Sequence, residues 1–205
     1  MKYNKLATTT VLNKTAKSLR EKGYQLFTVD DSVSALNKIR SLIPSGATVM
    51  NGASVTLEQI GFVDFLKTNK HKWIDLHAKI NAENDPLKRD KLRKQSALSD
   101  YYLGSVHALI ENGDFLVASN TGSQLPQIVY TSPNLIFVVS TKKIVPDLKE
   151  AFSRLEKYVL PLENEHMQKL YNMPSNISKI IIFRKEQPFL NRKITFILVK
   201  EDLGF

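Results

Sequence analysis

The sequence predicts an α/β fold, a three-layer sandwich built around a mostly parallel sheet. Short apolar runs that are typical of strands alternate along the chain with longer segments whose apolar residues recur at helical spacing. One run, LIFVVS at 135–140, is almost entirely apolar, which is typical of a parallel strand that is buried on both faces. The chain has 205 residues, a length that suits one domain, so we expect residues 1–205 to form a single α/β domain.

The first four elements follow from spacing and from local start and stop signals. Residues 5–22 predict a helix because Leu12, Ala16 and Leu19 recur at helical spacing, and Gly23 is a plausible stop. The β-rich run at 24–29 predicts a strand. Asp31 or Ser32 is expected to cap the next helix, which runs to the break at 44–46. The apolar run at 47–50 predicts a buried strand.

The remaining elements are predicted in the same way. A helix is expected to start near Val55, where Thr56 and Gln59 resemble a capping box. Asp85 and Pro86 are expected to open a charged helix, as cap and first helical residue. The other predictions are strands at 73–76, two strands within 101–118, a strand at 135–140, a helix from Pro146, a short helix after Pro161, and strands at 180–184 and 194–199.

Composition excludes several classes of site. The chain has no cysteine, which rules out disulfides, thiolate catalysis and cysteine-bound zinc or iron–sulfur clusters. The four histidines are scattered without the spacing of a metal motif, so we expect no metal site. No signal-peptide core and no apolar stretch of about 18 residues is present, so we expect a cytoplasmic protein without a membrane span.

The formal net charge is +9, which has two interpretations. It could indicate a nucleic-acid or other anionic partner, or a lysine-rich solvated surface. Only one dense basic run occurs, KRDKLRK at 88–94, and no recognisable nucleic-acid-binding signature accompanies it. We therefore favour the solvated surface and keep nucleic-acid association as the weakest alternative.

The loop at 51–56 is the first candidate binding segment. Asn51, Gly52, Ser54 and Thr56 follow a predicted strand and open a predicted helix, whose first N–H groups lack intrahelical partners. Such a loop can bind a carboxylate or phosphate. The alternative is ordinary helix capping by the two hydroxyls.

The turn Glu111-Asn112-Gly113 is the candidate catalytic segment. Asn-Gly is a strong turn signal, so the alternative is a simple connection between strands. A carboxylate placed directly after an apolar run is partly desolvated, and desolvation suits it to act as an acid, base or nucleophile. Strand alternation would also put His107 and Glu111 on one face.

The loop containing Thr121, Gly122 and Ser123 is the third candidate segment, since its hydroxyls and backbone N–H groups could bind a phosphate or carboxylate. Ligands of parallel sheets bind outside the carboxyl ends of the strands. We therefore expect the loop at 51–56, the Glu111 turn and this loop to border one cleft on a shared sheet.

Three stretches in order resemble the lactate-utilisation domain family, usually called LUD: VMNGASVTLEQIGFVDFLK at 49–67, ALSDYYLGSVHALIENGDFLV at 97–117 and SPNLIFVVSTKKIVPDLKEAFSRL at 132–155. The resemblance implies a Rossmann-like sheet similar to that of the sugar-phosphate isomerase and coenzyme A transferase superfamily. It also implies a small anionic metabolite as ligand and, as partners, subunits of a lactate-oxidation complex that carry the iron–sulfur clusters. It identifies no cofactor.

The resemblance leaves two functions open besides nucleic-acid association. The first is binding of a small carboxylate, phosphate or coenzyme A type ligand in lactate or organic-acid utilisation. The second is a stand-alone acyl or coenzyme A transferase, or an isomerase, that uses Glu111. Related transferases carry their glutamate in a Ser-Glu-Asn-Gly turn, and here Ile110 replaces the serine. Many relatives also have Gly-Asn-Arg near 120–127, where this chain lacks the arginine.

Overall fold

The computed structural model describes residues 3–68 and 70–205. Over these residues the strands form a six-stranded sheet and a four-stranded sheet. The six-stranded sheet has the order β1-β10-β7-β4-β2-β3, and all its neighbouring strands pair in parallel. Its strands are β1 (Gln25–Val29), β2 (Thr48–Asn51), β3 (Ile74–Asp75), β4 (Tyr101–Gly104), β7 (Asn134–Ser140) and β10 (Lys193–Val199).

The second sheet has the order β8-β5-β6-β9 and is mixed. Strands β5 and β6 form an antiparallel hairpin, β9 pairs antiparallel with β6, and β8 pairs in parallel with β5. These strands are β5 (Ala108–Ile110), β6 (Phe115–Ser119), β8 (Ile144–Val145) and β9 (Lys179–Phe183). The second sheet lies in the connections that follow β4 and β7.

The helices are α1 (Thr9–Glu21), α2 (Ser32–Leu42), α3 (Val55–Gln59), α4 (Phe62–Lys67), α5 (Leu76–Ala82), α6 (Pro86–Gln95), α7 (Leu148–Arg154) and α8 (Leu160–Tyr171). Among the described residues, none of the helices has both the length and the apolar character that crossing a membrane requires.

Alternating side chains of β7 explain the layers. Phe137 points into a core shared with α1 and the second sheet, whereas Val138 points into a core shared with α2, α3 and α4. Helix α7 and the turn after it cover the other face of the second sheet. The prediction of a Rossmann-like, three-layer α/β fold with a mostly parallel sheet is confirmed.

Three local predictions differ from the structure. The segment 101–118 contains β4, β5 and most of β6, so its apolar runs are divided between the two sheets. The strand at 73–76 shortens to β3 because the Asp75 side chain caps α5 by accepting the N–H groups of His77 and Ala78. Helix α7 continues into α8 through a π-helical turn at Leu155–Val159, so Pro161 does not separate two helices.

The connections between strands change direction between β2 and β4, which are neighbours in the sheet. The chain leaves β2 through α3 and α4 toward β3 at the sheet edge, and it leaves β4 through the second sheet toward β7 on the opposite side. The two connections therefore diverge. This is a topological switch point, where open α/β sheets bind ligands outside the carboxyl ends of their strands.

Candidate functional site

The switch point contains a buried lysine. Ser140 ends β7, and a single 3₁₀ turn, Thr141–Lys143, carries Lys143 across the carboxyl ends of the neighbouring strands. Lys143 is only 4% exposed. Its Nζ lies 2.9 Å from Thr56 Oγ1 and 3.1 Å from Ser105 Oγ. We call the group of Thr56, Ser105 and Lys143 the lysine crevice.

Gly204 closes one side of the lysine crevice. Its φ of +66° is in the left-handed region, and a Cβ atom there would lie 2.2 Å from Thr56 Oγ1 and 2.8 Å from Lys143 Nζ. Its N–H donates to Gln59 Oε1 at 2.6 Å, which fixes the backbone in this position. The position therefore has no room for a side chain, which would collide with both polar groups.

The surroundings of Lys143 are cationic. Burial, followed by the charges of Arg154 and Lys142, lowers the pKa of Lys143 well below its ordinary value. Burial, followed by the charges of Lys143 and Arg154, lowers the pKa of His107 to about 3. His107 is therefore neutral at pH 7, and its Nδ1 accepts the Ala118 N–H at 3.1 Å.

Arg154 is the second buried cation of this region, at 0% exposure. Its Nη1 donates to the His107 carbonyl oxygen, and its guanidinium carbon lies 5.2 Å from the ring centroid of Tyr158. The Nε and Nη2 atoms have no hydrogen-bond partner, and within residues 3–68 and 70–205 no carboxylate forms an ion pair with Lys143 or Arg154. Two buried cations thus share a region without a countercharge from the described chain.

The predicted loop at 51–56 borders this region, but its hydroxyls have different roles. Ser54 is the N-cap of α3, since its side chain accepts the Leu57 N–H at 3.3 Å. Thr56, which was expected to cap, is buried and contacts Lys143 instead. Asn51 is also buried; its carbonyl oxygen bonds to His77 Nε2 at 2.7 Å, and its Nδ2 donates to the Gly52 carbonyl at 3.1 Å.

Gly52 joins this loop to the one after β6. A Cβ atom at Gly52 would lie 2.3 Å from the Tyr102 hydroxyl and 2.6 Å from Gln124 Oε1. The same hydroxyl donates to Gln124 at 3.2 Å. The Gly52 backbone therefore packs against a buried tyrosine and against the end of the predicted 121–123 loop.

The 121–123 loop is largely satisfied by its own groups. Thr121 Oγ1 donates to Ser123 Oγ at 3.1 Å, and the Gly122 N–H donates to Ser119 Oγ at 2.9 Å. Gly122 has a φ of +85° and packs against the side chain of Lys179. Anion binding by Thr121, Gly122 and Ser123 stays a prediction; the contact between this loop and Gly52 passes through Gln124.

The Glu111 turn lies in the second sheet, where the Glu111 N–H donates to the Val145 carbonyl oxygen at 2.9 Å. It joins β5 to β6 in the second sheet, and Glu111 accepts a hydrogen bond from Lys14 Nζ of α1 at 2.8 Å. The Asn112 side chain bonds to Asp114, and Gly113, with a φ of +83°, packs against Lys22. The expectation that the three segments share the rim of one parallel sheet is therefore wrong, because this turn belongs to the mixed sheet. Whether Glu111 is catalytic stays a prediction.

The sequence reasoning missed Ser105, Lys143 and Arg154. Lys143 follows the most apolar of the predicted strands, so the rule that picked the loop at 51–56 could also have picked it. Arg154 lay within the helix predicted from Pro146 and gave no separate signal. Among the described residues no group of three or more acidic or histidine side chains could hold a metal ion.

A cavity of about 380 Å³ lies at the carboxyl ends of the parallel strands, between α1 and the ends of β1, β7 and β10. Its lining includes Arg20, Thr141 and Lys200. Thr141 belongs to the turn that carries Lys143, so the cavity and the lysine crevice lie on neighbouring parts of the chain. The volume is in the range of small-molecule sites.

Comparison with known proteins agrees with this fold. A crystal structure of a DUF162 family protein from Deinococcus radiodurans is similar over 95% of this chain and 99% of its own, with a TM-score of 0.55 and 11% identity. At that identity the likeness concerns the fold alone. None of the curated proteins matches the chain significantly. The sequence pattern of the LUD domain matches residues 12–199, and the chain therefore belongs to the LUD domain family.

Proposed function

We propose that this LUD protein binds a small organic anion, a carboxylate or phosphate, in the lysine crevice and thereby serves lactate or related organic-acid utilisation. One observation carries the proposal: Lys143 and Arg154 are both buried, and neither has an ion-pair partner among the described residues. Family membership supports the metabolic context.

The energetics of buried charge favour an anionic ligand. Burying a charge without a partner is costly, and proteins normally avoid it by pairing the charge or by shifting its pKa. Arg154 keeps its charge at pH 7 although its pKa is lowered to about 10, whereas Lys143 avoids part of the cost through its lowered pKa. An incoming carboxylate or phosphate would supply the missing charge, and stabilise the protonated form of Lys143.

The neighbouring groups define the chemistry of the ligand. Thr56 and Ser105 offer hydroxyls that can donate to anionic oxygens, and Lys143 offers a compact point charge. This combination suits carboxylates, phosphates and the acyl esters of organic acids. Subunits of a lactate-oxidation complex are the protein partners that fit this role, because a chain without cysteine cannot hold cysteine-bound redox clusters itself.

Thermal-shift and calorimetric measurements with hydroxy acids, sugar phosphates, inorganic phosphate and coenzyme A esters test the proposal. A ligand at about 100 times its Kd stabilises the folded state by about 2.7 kcal/mol. The Lys143→Met variant should lose that stabilisation. Lys17→Met, which removes a lysine whose side chain is 77% exposed, is the matched control and should retain it.

A third variant separates the lysine crevice from the neighbouring cavity. Arg20→Gln changes a cation of the cavity and leaves Thr56, Ser105 and Lys143 intact. Loss of binding in Arg20→Gln with full binding in Lys143→Met would move the site to the cavity and refute the proposal. The absence of stabilisation by any compound of the set would also count against it.

A further inference from the structure

We propose that Ser105 and Lys143 form a nucleophile–base pair that cleaves an ester or thioester of a small organic acid. The inference rests on the proposed function, since it assigns a reaction to the same crevice. Ser105 follows directly after β4, and its hydroxyl oxygen is 3.1 Å from Lys143 Nζ. Nucleophilic hydroxyls are activated by a base within such hydrogen-bonding distance, and Ser–Lys pairs are one known arrangement.

Ser105 and Lys143 differ in solvent exposure, as the roles of nucleophile and base require. Ser105 is partly exposed, as the role of the residue that meets the substrate requires. Lys143 is buried, so its amine is shielded from water and lies close to the Thr56 and Ser105 hydroxyls. Burial and the nearby charges of Arg154 and Lys142 lower the pKa of Lys143, which increases the neutral fraction that can take a proton from Ser105.

Thr56 is the positioning residue. Its Oγ1 lies 2.9 Å from Lys143 Nζ and can accept one N–H of the neutral amine. This hydrogen bond restricts rotation of the amine and leaves the lone pair free to accept the Ser105 O–H. Gly204 keeps this arrangement tight, because a side chain there would collide with both Thr56 and Lys143.

The reaction balances with water as the second substrate. Ser105 Oγ attacks the carbonyl carbon while its proton passes to Lys143 Nζ. The bond to the leaving alcohol or thiol breaks, and Lys143 returns the proton to that group. Water then attacks the acyl-Ser105, with Lys143 as base again, releasing the organic acid and restoring the serine hydroxyl.

A fluorophosphonate probe tests the pair on the whole chain without knowledge of the natural substrate. One adduct per chain should form and should map to Ser105 by peptide mass analysis. The labelling rate should rise with pH and become constant once Lys143 is fully neutral. The Ser105→Ala variant should not be labelled, whereas Ser41→Ala, which changes an exposed serine of α2, should react like the wild type.

Two further variants distinguish the role of Lys143 as the base from the role of Thr56 as the positioning residue. Lys143→Met should slow labelling by about 100-fold or more, as expected for removal of a general base. Thr56→Val should lower the maximal labelling rate and shift its pH profile to lower pH, because in the wild type the Thr56 oxygen accepts a hydrogen bond that stabilises the protonated amine of Lys143. A merely structural role of Thr56 would leave the pH profile in place.

Two other outcomes would contradict the assignment of Ser105 and Lys143 as a nucleophile–base pair. A Ser105 that stays unlabelled at every pH at which the protein is folded, or equal labelling of wild type and Lys143→Met, would refute it. Hydrolysis of p-nitrophenyl acetate provides a second readout: an initial burst of p-nitrophenolate with an acetyl group on Ser105 would support the pair, and its absence would count against it. If the Lys143-dependent stabilisation by anions persists while Ser105 stays unreactive, the inferred reaction is wrong and the proposed binding function remains.

Discussion

Replacing Gly52 by alanine tests the packing that joins the loop after β2 to Tyr102. The added Cβ would lie 2.3 Å from the Tyr102 hydroxyl, about 1 Å closer than ordinary contact allows. The tyrosine ring is buried and cannot move aside easily, whereas Gln124 Oε1, at 2.6 Å, ends a flexible side chain. We expect Gly52→Ala to lower the free energy of unfolding by about 1–3 kcal/mol, the usual cost of overpacking.

A double-mutant cycle isolates the clash. In Tyr102→Phe the hydroxyl is absent, and the nearest ring atom, Cζ, lies 3.4 Å from the position that the new methyl group would occupy, an ordinary contact. Gln124 also loses its Tyr102 partner and can turn away. Gly52→Ala should therefore cost less in the Tyr102→Phe background, with a coupling energy of about 1 kcal/mol or more. Urea unfolding of the four proteins measures it, and additive effects would refute the packing argument.

Three further predictions concern titration and the Glu111 turn. The free energy of unfolding should fall as pH falls from about 6.5 toward about 3, by up to about 1.4 kcal/mol per pH unit, because in this range His107 is protonated only in the unfolded chain. The His107→Asn variant keeps a hydrogen-bond acceptor and should lose this contribution of His107 to the pH dependence, measured by urea unfolding at several pH values. Lys143→Met should raise the melting temperature at pH 7, because it removes a buried amine without an ion-pair partner. It should also abolish the gain in stability that the wild type shows as pH rises toward about 10.5, since over that range Lys143 binds more protons in the unfolded chain than in the folded protein. Glu111→Gln should leave Lys143-dependent anion binding unchanged by calorimetry, because Glu111 lies at a turn of the second sheet and pairs with Lys14 of α1. Lost binding or lost turnover would restore Glu111 as a site residue.

The elements with local signals were predictable from sequence. Asp31 and Asp85 cap the helices that they were expected to cap, because a short acidic side chain before a helical pattern acts through the nearest N–H groups. The strand at 135–140 was predictable because its apolar residues reflect burial on both faces. Neither signal depends on distant parts of the chain.

The second sheet could not be predicted from these signals. The strands β5 and β6 are buried along most of their length, so their apolar runs look the same as those of the parallel sheet. Their pairing with β8 and β9 depends on segments more than about 25 residues away, and pairing across such distances leaves no local pattern. The misplaced Glu111 turn follows directly from that ambiguity.

The importance of Lys143 depends on strand order more than on residue type. A lysine after a strand is ordinary in a basic chain, and most such lysines are solvated. Here β7 lies next to β4, and β2 is one strand further, so the turn after β7 crosses the ends of both strands. Thr56, in the first turn of the helix that follows β2, and Ser105, the first residue after β4, then contact the same amine. If β3 had inserted between β2 and β4, Thr56 would be one strand too far away, and the lysine crevice could not form. The connectivity that makes the switch point thus also assembles its chemistry.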